Sequence, residues 1–350
     1  MRITIQFTIV LLLGVLLSAG MLRASDQGTE PDRFFREYVG LGEDQIQSIR
    51  HGKALAKVLD SRTPDEVFVF GAVYIDAAPE SYLQLAADID ALRKLPNFLA
   101  IRKFSEPPQL SDLGGFTLED EDVKQLKNCK PGHCEIQLPD ESMEGFQKEV
   151  NWSVPDAADQ VNRVAQRMAL EAVVRYQQQG NAALGTYRDK GHPAQVAETF
   201  QSLLSRSRAL PVYLPDLERY LLDYPGAKSR SIDSEFYWEK VNFGLKPTLR
   251  IVQAIIYRGT HSNEPAYALA VKQLYASHYF QTALDLTLCV RDSASSRGFY
   301  LITLKGSKQA GLTGFKGGIV RKVAVGKTRS SVERTLASIK EKLEAQTNWF

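Results

Sequence analysis

The sequence predicts an α+β protein in which an antiparallel sheet packs against a long C-terminal helix. The clearest strand runs from His278 to Val290, where apolar side chains alternate with a mixed set along the chain. Such alternation is typical of a strand, because successive side chains point to opposite faces of a sheet. Segments rich in β-branched and aromatic residues predict further strands at Phe236–Phe243, Thr248–Tyr257, Phe299–Leu304 and Ile319–Val325.

An apolar stripe near the end of the chain predicts the closing helix. Val332, Leu336, Ile339 and Leu343 recur at the spacing of a helix that lies on a sheet. A capping box at Ser330–Glu333 precedes the stripe, and its Ser and Glu side chains would satisfy free backbone donors at a helix N-terminus. The sequence therefore predicts that this helix begins near Ser330, after the last strand.

Length and composition indicate an ordinary globular protein. With 350 residues, the chain is long enough for one large domain or two modest ones with ample core. Its hydrophobic content of 44% and charged content of 24% are typical of such proteins. A formal net charge of +2 argues against a nucleic-acid-binding protein, which normally carries a strong basic excess.

The first 24 residues are typical of a secretory signal peptide. Arg2 precedes an apolar run over Ile9–Leu17, and the small residues Ser18, Ala19 and Gly20 follow it. Cleavage after Gly20 and cleavage after Ala24 both fit this pattern. The alternative is an uncleaved membrane anchor, because the apolar residues 3–17 fall only slightly short of the ~17–25 residues that a span needs. The protein is expected to be exported, to a periplasm or beyond the cell.

The cysteines agree with export. Cys129 and Cys134 flank Lys-Pro-Gly-His, a turn-forming insert that would bring the two thiols together. In an oxidising compartment this spacing predicts a disulfide bond. A metal site would need more ligands than His133 supplies, so we predict no bound metal. Cys289 is left over in a strand, where a buried, inert thiol is expected.

The N-terminal half contains the remaining sheet elements. Residues 25–65 form a polar segment with two predicted helices, Asp32–Val39 and Glu43–Leu59. Glu66–Asp76 is apolar on both faces and predicts a well-covered strand. Pro79 opens a helix, and Phe98–Phe104 predicts a second, short strand. From about residue 117 the pattern becomes helical, with helices predicted at Leu118–Asn128, Asp156–Tyr176, Pro193–Ser205 and Pro215–Tyr224.

This order of elements resembles the START/polyketide-cyclase superfamily and its helix-grip fold. The resemblance is carried by Val73–Tyr82, with the sequence VYIDAAPESY, and by the final strands and closing helix. The resemblance covers residues 66–104 and 236–345. It implies a curved antiparallel sheet that wraps around a long C-terminal helix, with an apolar cavity between them. The helical residues 117–230 would then be an insertion between a first part, 66–116, and a second part, 231–350.

The common catalytic and cofactor motifs are missing from the sequence. It contains no Gly-x-Ser-x-Gly elbow, no His-Glu-x-x-His, no Ser-x-x-Lys and no P-loop, so no catalytic residue and no cofactor is assigned. Gly311, Gly314, Gly317 and Gly318 invite a phosphate-loop interpretation. We interpret them as a flexible hairpin loop, because they fall between two predicted strands and no helix N-terminus would point at an anion.

The leading hypothesis is an exported binding protein that holds a hydrophobic small molecule or lipid between sheet and C-terminal helix. In this arrangement Phe280, Leu284 and Leu288 would face Leu336 and Ile339. The candidate cavity residues are Tyr257, His278, Phe280, Leu284, Leu286, Leu288, Leu336 and Ile339. Two alternatives stay open. One is a cyclase or hydrolase that uses His278, Tyr257 and Asp285, and the other is a scaffold whose helical block binds an envelope protein partner.

Overall fold

A large antiparallel sheet organises the protein, as described by a computed structural model. The described residues are 30–88, 93, 98–190, 192–207, 210, 213–242, 246–261, 264–291, 298–312 and 314–347. The predicted signal peptide, residues 1–24, lies outside them. None of the helices among these residues combines the length and the apolar content needed to cross a bilayer.

Eight strands form the main sheet, and two short strands form a separate ladder. The strands are β1 (Leu55–Leu59), β2 (Glu66–Ile75), β3 (Phe98–Lys103), β4 (Thr186–Tyr187), β5 (Ala194–Gln195), β6 (Ile232–Val241), β7 (Thr248–His261), β8 (Glu264–Ala276), β9 (Phe280–Arg291) and β10 (Phe299–Gln309). The order in the main sheet is β1-β2-β10-β9-β8-β7-β6-β3, and every neighbouring pair is antiparallel. The sheet is open, with β1 and β3 at its edges.

Helices cover both faces of this sheet. They are α1 (Glu30–Phe34), α2 (Glu43–Arg50), α3 (Pro79–Ala87), α4 (Asp120–Leu126), α5 (Asp140–Glu149), α6 (Ala157–Gln179), α7 (Val196–Leu204), α8 (Pro215–Asp223) and α9 (Gly314–Thr347). A π-helix at Phe35–Val39 continues α1, and a 3₁₀ turn at Gly180–Ala183 follows α6. The predicted α+β class, with an antiparallel sheet packed by a C-terminal helix, is confirmed.

The long helix α9 covers one face of the sheet, called here the α9 face. Its Val332, Leu336 and Leu343 are buried against β2 side chains such as Val69. The helix crosses β2 closely at Gly71, where a Cβ atom would lie 2.4 Å from Cγ1 of Val332. Glycine is therefore required at this crossing. Leu336 packs on the sheet, as the apolar stripe predicted.

The opposite face, called here the α7 face, packs against the N-terminal helices and against α7 and α8. Because side chains alternate along a strand, the even-numbered residues of β2, β9 and β10 lie on this face. The buried members from these three strands are Phe70, Ala72, Leu284, Leu286, Leu288, Tyr300 and Ile302. They contact Phe34 and Phe35 at the chain's N-terminal side and Phe200 and Leu203 of α7.

The predicted strand Ile319–Val325 is wrong, because these residues belong to α9. The helix begins at Gly314, so the capping box at Ser330 lies inside it and the predicted glycine hairpin is absent from this part of the described chain. Arg321 explains the helix: its Nε donates to the carbonyl of Pro64 at 2.9 Å, and its Nη2 donates to Ser61 Oγ at 2.8 Å. These contacts with the β1–β2 connection override the β-branched composition.

Other elements also differ from the predictions. The predicted helix Glu43–Leu59 ends at Arg50, and its last five residues form β1. Strand β8 was not predicted, because one of its faces carries alanines, which are depleted in strands. Strand β9 begins at Phe280 instead of His278, because Tyr279 has a φ of 64°, a left-handed conformation that interrupts a strand.

Candidate ligand-binding groove

A groove with a volume of about 620 Å³ opens on the α7 face. It runs between the π-helix, strands β1 and β2, and the end of α7, over the adjoining parts of β9 and β10. Its apolar lining consists of Phe34, Tyr38, Val39, Leu59, Phe68, Leu203, Leu284, Leu286 and Leu304, and it also includes Val58 and Val69, whose side chains lie on the α9 face. A second depression of about 490 Å³ borders β3. Its lining includes Arg93 and Phe98.

The floor of the groove follows from strand register. Leu286 of β9 pairs with Leu304 of β10, and Leu284 pairs with Gly306. Same-face neighbours on paired strands lie side by side, so these four positions form one patch. A Cβ atom at Gly306 would lie 3.0 Å from the Phe68 ring and 3.3 Å from Leu203 Cδ1. The glycine therefore lets Phe68 and Leu203 approach the strand closely at this point of the floor.

The polar residues of the groove lining, here together called the polar end, are Lys57, Asp60, Arg62, Ser205, Arg206, Ser207 and Lys305. Two of the cations are engaged within the protein. The ammonium of Lys57 donates to the carbonyls of Val39 and Gly40 at 2.9 and 2.7 Å, which caps the π-helix. Alternation along β10 points the Lys305 side chain to the α9 face, where its ammonium forms an ion pair with Asp285.

Arg206 and Ser207 are the residues of the polar end with unused hydrogen-bonding capacity. The Nη2 atom of Arg206 donates to the carbonyl of Asp60 at 2.7 Å, and its guanidinium lies 5.5 Å from the centre of the Phe68 ring. Its Nε and the hydroxyl of Ser207 are both buried, and neither has a partner among the described residues. Buried donors are normally satisfied, so these two atoms are available to a ligand.

The structure brings only part of the predicted cavity set together. Leu284 and Leu286 line the groove, whereas Leu288 and Tyr257 belong to the same apolar cluster but not to its lining. Leu336 packs in the cluster of the α9 face, and Ile339 packs against that cluster. The expectation that Leu284 and Leu288 face Leu336 is therefore wrong. The physical reason is alternation: the even-numbered side chains of β9 point toward α7, and the opposite face receives α9.

His278 lies elsewhere, in a buried ion-pair cluster. Its Nε2 is 2.9 Å from Oδ2 of Asp122, and Oδ1 of Asp122 accepts a hydrogen bond from the ammonium of Lys246 at 2.8 Å. Burial raises the pKa of Asp122, but the hydrogen bonds and charges of His278 and Lys246 outweigh it and hold the pKa below its usual value. The cluster fastens α4 to the turn between β8 and β9.

The other two candidate catalytic groups do not join His278. Asp285 pairs with Lys305, its register partner on β10, and Tyr257 is buried in the apolar cluster of the α7 face. Odd-numbered Asp285 and even-numbered Leu284 lie on opposite faces of β9, so Asp285 and Tyr257 are separated by the sheet. Phe280 starts β9, and its backbone carbonyl accepts hydrogen bonds from Gln137 and Gln273 at 2.9 Å each.

Sequence reasoning missed a buried lysine next to the groove. Lys272 of β8 is fully buried and pairs in register with Leu284. Its ammonium lies 4.0 Å from the centre of the Phe200 ring, and burial lowers its pKa to about 7. A signal was present, because Ala266, Ala268, Ala270 and Lys272 occupy alternate positions of one apolar strand face. A lysine at such a position is costly unless its charge is lost or partnered.

The predicted cysteine pairing is confirmed. Cys129 and Cys134 form a disulfide bond, and both are buried. Cys289 is a buried free thiol, and burial raises its pKa well above the usual value.

Comparison of the chain with models of protein families finds no match, and comparison with curated proteins finds none either.

Proposed function

We propose that the protein binds a hydrophobic small molecule or a lipid in the groove of the α7 face. The observation that carries this proposal is the apolar floor formed by Leu284, Leu286 and Leu304, in a groove whose lining also holds buried donors without partners among the described residues. Ligand sites of proteins typically have volumes of about 300–1,000 Å³, with apolar walls and a few polar groups that orient the ligand. The groove has a volume in this range, and its lining combines an apolar floor with several polar residues.

The apolar floor can supply most of the binding energy. Each methylene group that a ligand removes from water stabilises the complex by about 0.8 kcal/mol, and an alkyl chain lying along the floor would bury several. The cost of losing ligand motion is subtracted from this gain, so a chain of moderate length is needed for binding. A small polar metabolite would gain little from these walls.

The proposal includes export and a relation to the helix-grip proteins. The N-terminal signal pattern and the Cys129–Cys134 disulfide support an oxidising compartment outside the cytoplasm. An antiparallel sheet packed by a C-terminal helix supports a relation to the START/polyketide-cyclase superfamily. The groove departs from that pattern, since it lies on the face that α9 does not cover.

The test is native mass spectrometry of the protein purified from its own compartment, followed by extraction and identification of bound lipid. We expect a bound species in the wild type and its loss in Leu304→Trp, because Leu304 is half-buried and lines the groove. The matched control is Leu99→Trp, which adds the same ring at a position that is 52% exposed on β3. A ligand-free wild type that also binds no lipid from an added extract would refute the proposal.

A further inference from the structure

We infer that the ligand of the groove carries an anionic group, a carboxylate or a phosphate, which binds Arg206 and Ser207 at the polar end. This inference rests on the proposed function, because it names the chemistry of a ligand whose apolar part occupies the same groove. Its basis is the juxtaposition of two buried donors, Nε of Arg206 and Oγ of Ser207, in the lining of one groove.

Two side-chain donors of the polar end, on Arg206 and Ser207, form no hydrogen bond with the described residues. A buried donor that has no acceptor in the folded protein is costly, so such atoms are rare unless an ion, a water or a ligand completes them. Here two occur on consecutive residues, and neither has a partner in the described part of the chain. A single acceptor group with two oxygens can serve both atoms, as a carboxylate or a phosphate does.

The guanidinium of Arg206 is already held in place by contacts within the protein. Arg206 is held by the hydrogen bond from Nη2 to the Asp60 carbonyl at 2.7 Å and by its contact with the Phe68 ring. A guanidinium that is already held loses little freedom when it binds an oxyanion. The remaining edge, which includes Nε, stays unoccupied by any described protein acceptor.

Carbonyls at the end of α7 are already used within the protein. The amides of Ser205, Arg206 and Ser207 donate to the carbonyls of Gln201, Leu203 and Leu204 at 3.0, 3.1 and 2.8 Å. These bonds satisfy acceptors that would otherwise repel an anion at a helix C-terminus.

The charge balance of the polar end points the same way. Lys57, Arg62 and Arg206 line it together with one carboxylate, Asp60, and the charge of Lys305 is balanced by Asp285. Three cations against one anion leave an excess of positive charge. An anionic head group is favoured at this end, and a cationic one is disfavoured.

Four chain-matched probes test the inference: hexadecanoate, hexadecyl phosphate, hexadecanol and hexadecyltrimethylammonium, each titrated calorimetrically below its aggregation concentration. We expect both anions to bind about tenfold or more tightly than hexadecanol, because charge-assisted hydrogen bonds are the stronger class. The cation should bind most weakly. A preference for hexadecanoate assigns the natural head group to the fatty acids, and a preference for the phosphate assigns it to the phospholipids.

Variants locate the anion site. Arg206→Gln and, independently, Ser207→Ala should lower the affinity for both anions by a larger factor than the affinity for hexadecanol, so that the preference for the anions shrinks. Arg175→Gln is the control, because it removes an exposed arginine of α6 that pairs only loosely, at 3.4 Å, with Glu141. Ser207→Ala keeps the test open if Arg206→Gln fails to fold, since it deletes one oxygen.

The outcomes separate the two proposals. Equal binding of hexadecanoate and hexadecanol would overturn the anion inference and leave lipid binding intact. Anion affinity that both variants leave unchanged would also overturn it. No binding of any of the four probes to the wild type would overturn the proposed function together with the inference.

Discussion

The side-chain nitrogen of Lys272 lies 2.9 Å from the hydroxyl oxygen of Tyr176, inside the interface between the sheet and the helical segment. The hydroxyl of Tyr176 in turn donates to Gln253 at 3.0 Å, and Lys272 also donates to Asn181. No carboxylate of the described residues pairs with Lys272, and burial alone lowers its pKa to about 7. Polar contacts thus connect β7, β8, α6 and the following 3₁₀ turn through a side chain whose charge is costly.

Lys272 should make stability depend on pH. In the unfolded chain a lysine has a pKa of about 10.4, so between about pH 7 and 10.4 the unfolded state binds a proton that the folded state does not. Stability then rises with pH across this window, by at most ~1.4 kcal/mol per pH unit. The Lys272→Met variant lacks this dependence and should be more stable than the wild type below pH 7.

Urea denaturation of both proteins at several pH values from about 6 to 9.5 measures the difference. As pH rises, the free energy of unfolding of the wild type should increase relative to that of Lys272→Met. Tyr176 and the other tyrosines are common to both proteins, so their titration cancels in the comparison. Two curves that stay parallel across the range would contradict the assignment of a depressed pKa to Lys272.

The Asp122–His278 contact should contribute stability that also rises with pH, but in an acidic range. Because the pKa of Asp122 is held below its usual value, the carboxylate stabilises the folded state above the unfolded pKa of about 3.9. This contribution is lost as pH falls through the lower, folded pKa. Removing one partner of a buried ion pair costs about 3–5 kcal/mol, so Asp122→Ala should show a loss of this order at neutral pH.

The control for this prediction is Asp285→Ala, which removes an ion pair with Lys305 whose partners are 33% and 37% exposed. A partly exposed pair is worth about 0–1 kcal/mol, so this variant should unfold near the wild-type midpoint. Thermal and chemical denaturation at pH 7 and near pH 3 provide the comparison. Equal losses in the two variants at neutral pH would show that Asp122 has no special role.

The crossing of α9 over β2 predicts a specific destabilisation and its rescue. A Cβ at Gly71 would lie 2.4 Å from Cγ1 of Val332 and 2.8 Å from Cδ1 of Leu336, so one of these elements must move in Gly71→Ala. Overpacking of this kind typically costs ~1–3 kcal/mol. The double variant Gly71→Ala with Val332→Ala should recover part of the loss, because the nearest atom is removed.

Denaturation of the wild type, Gly71→Ala, Val332→Ala and the double variant forms a double-mutant cycle, which gives the coupling energy between residues 71 and 332. If the losses of Gly71→Ala and Val332→Ala simply add, α9 does not cross β2 at this residue.

Leu336→Asp tests the same packing and should destabilise the protein, since it places an unpaired carboxylate against the sheet. Ala337→Asp, on the exposed side of the same helical turn, is its control.

The strands that the sequence predicts well are those whose two faces differ or are both strongly apolar. Glu66–Asp76 and Phe299–Leu304 carry this signal within single segments, and both strands are present. The first half of α9 carries the opposite signal, with glycines and β-branched residues. It is helical because Arg321 and Val325 meet partners some 250 residues earlier in the chain, near residues 61–69. Local propensity cannot contain that information.

The candidate site was predictable only in part, for a similar reason. Alternation along β9 places Leu284 and Leu286 on one face, which the sequence shows, but it does not say which helix covers that face. The partners Phe68, Leu203 and Arg206 come from three separate segments. The resemblance to helix-grip proteins placed the cavity under α9. The structure places the groove on the face where the N-terminal helices and α7 pack.

Leu284 and Leu288 allow the groove to be distinguished from close-packed core on a single strand. Both lie on the α7 face of β9 and both are buried, at 5% and 2% exposure, but only Leu284 lines the groove. The Leu284→Trp side chain can extend into the groove, so this variant should keep nearly wild-type stability and lose ligand binding. The Leu288→Trp side chain has no such space, so overpacking should cost typically ~1–3 kcal/mol.

Urea denaturation gives the stabilities, and titration with hexadecanoate gives the affinities. The prediction is a crossed pattern: Leu284→Trp is stable but fails to bind, and Leu288→Trp is destabilised but binds under conditions where it is folded. The crossed pattern matters because a general loss of stability would impair binding in both variants alike. If Leu284→Trp is as destabilised as Leu288→Trp and still binds the probe, the space beside Leu284 is not the ligand site.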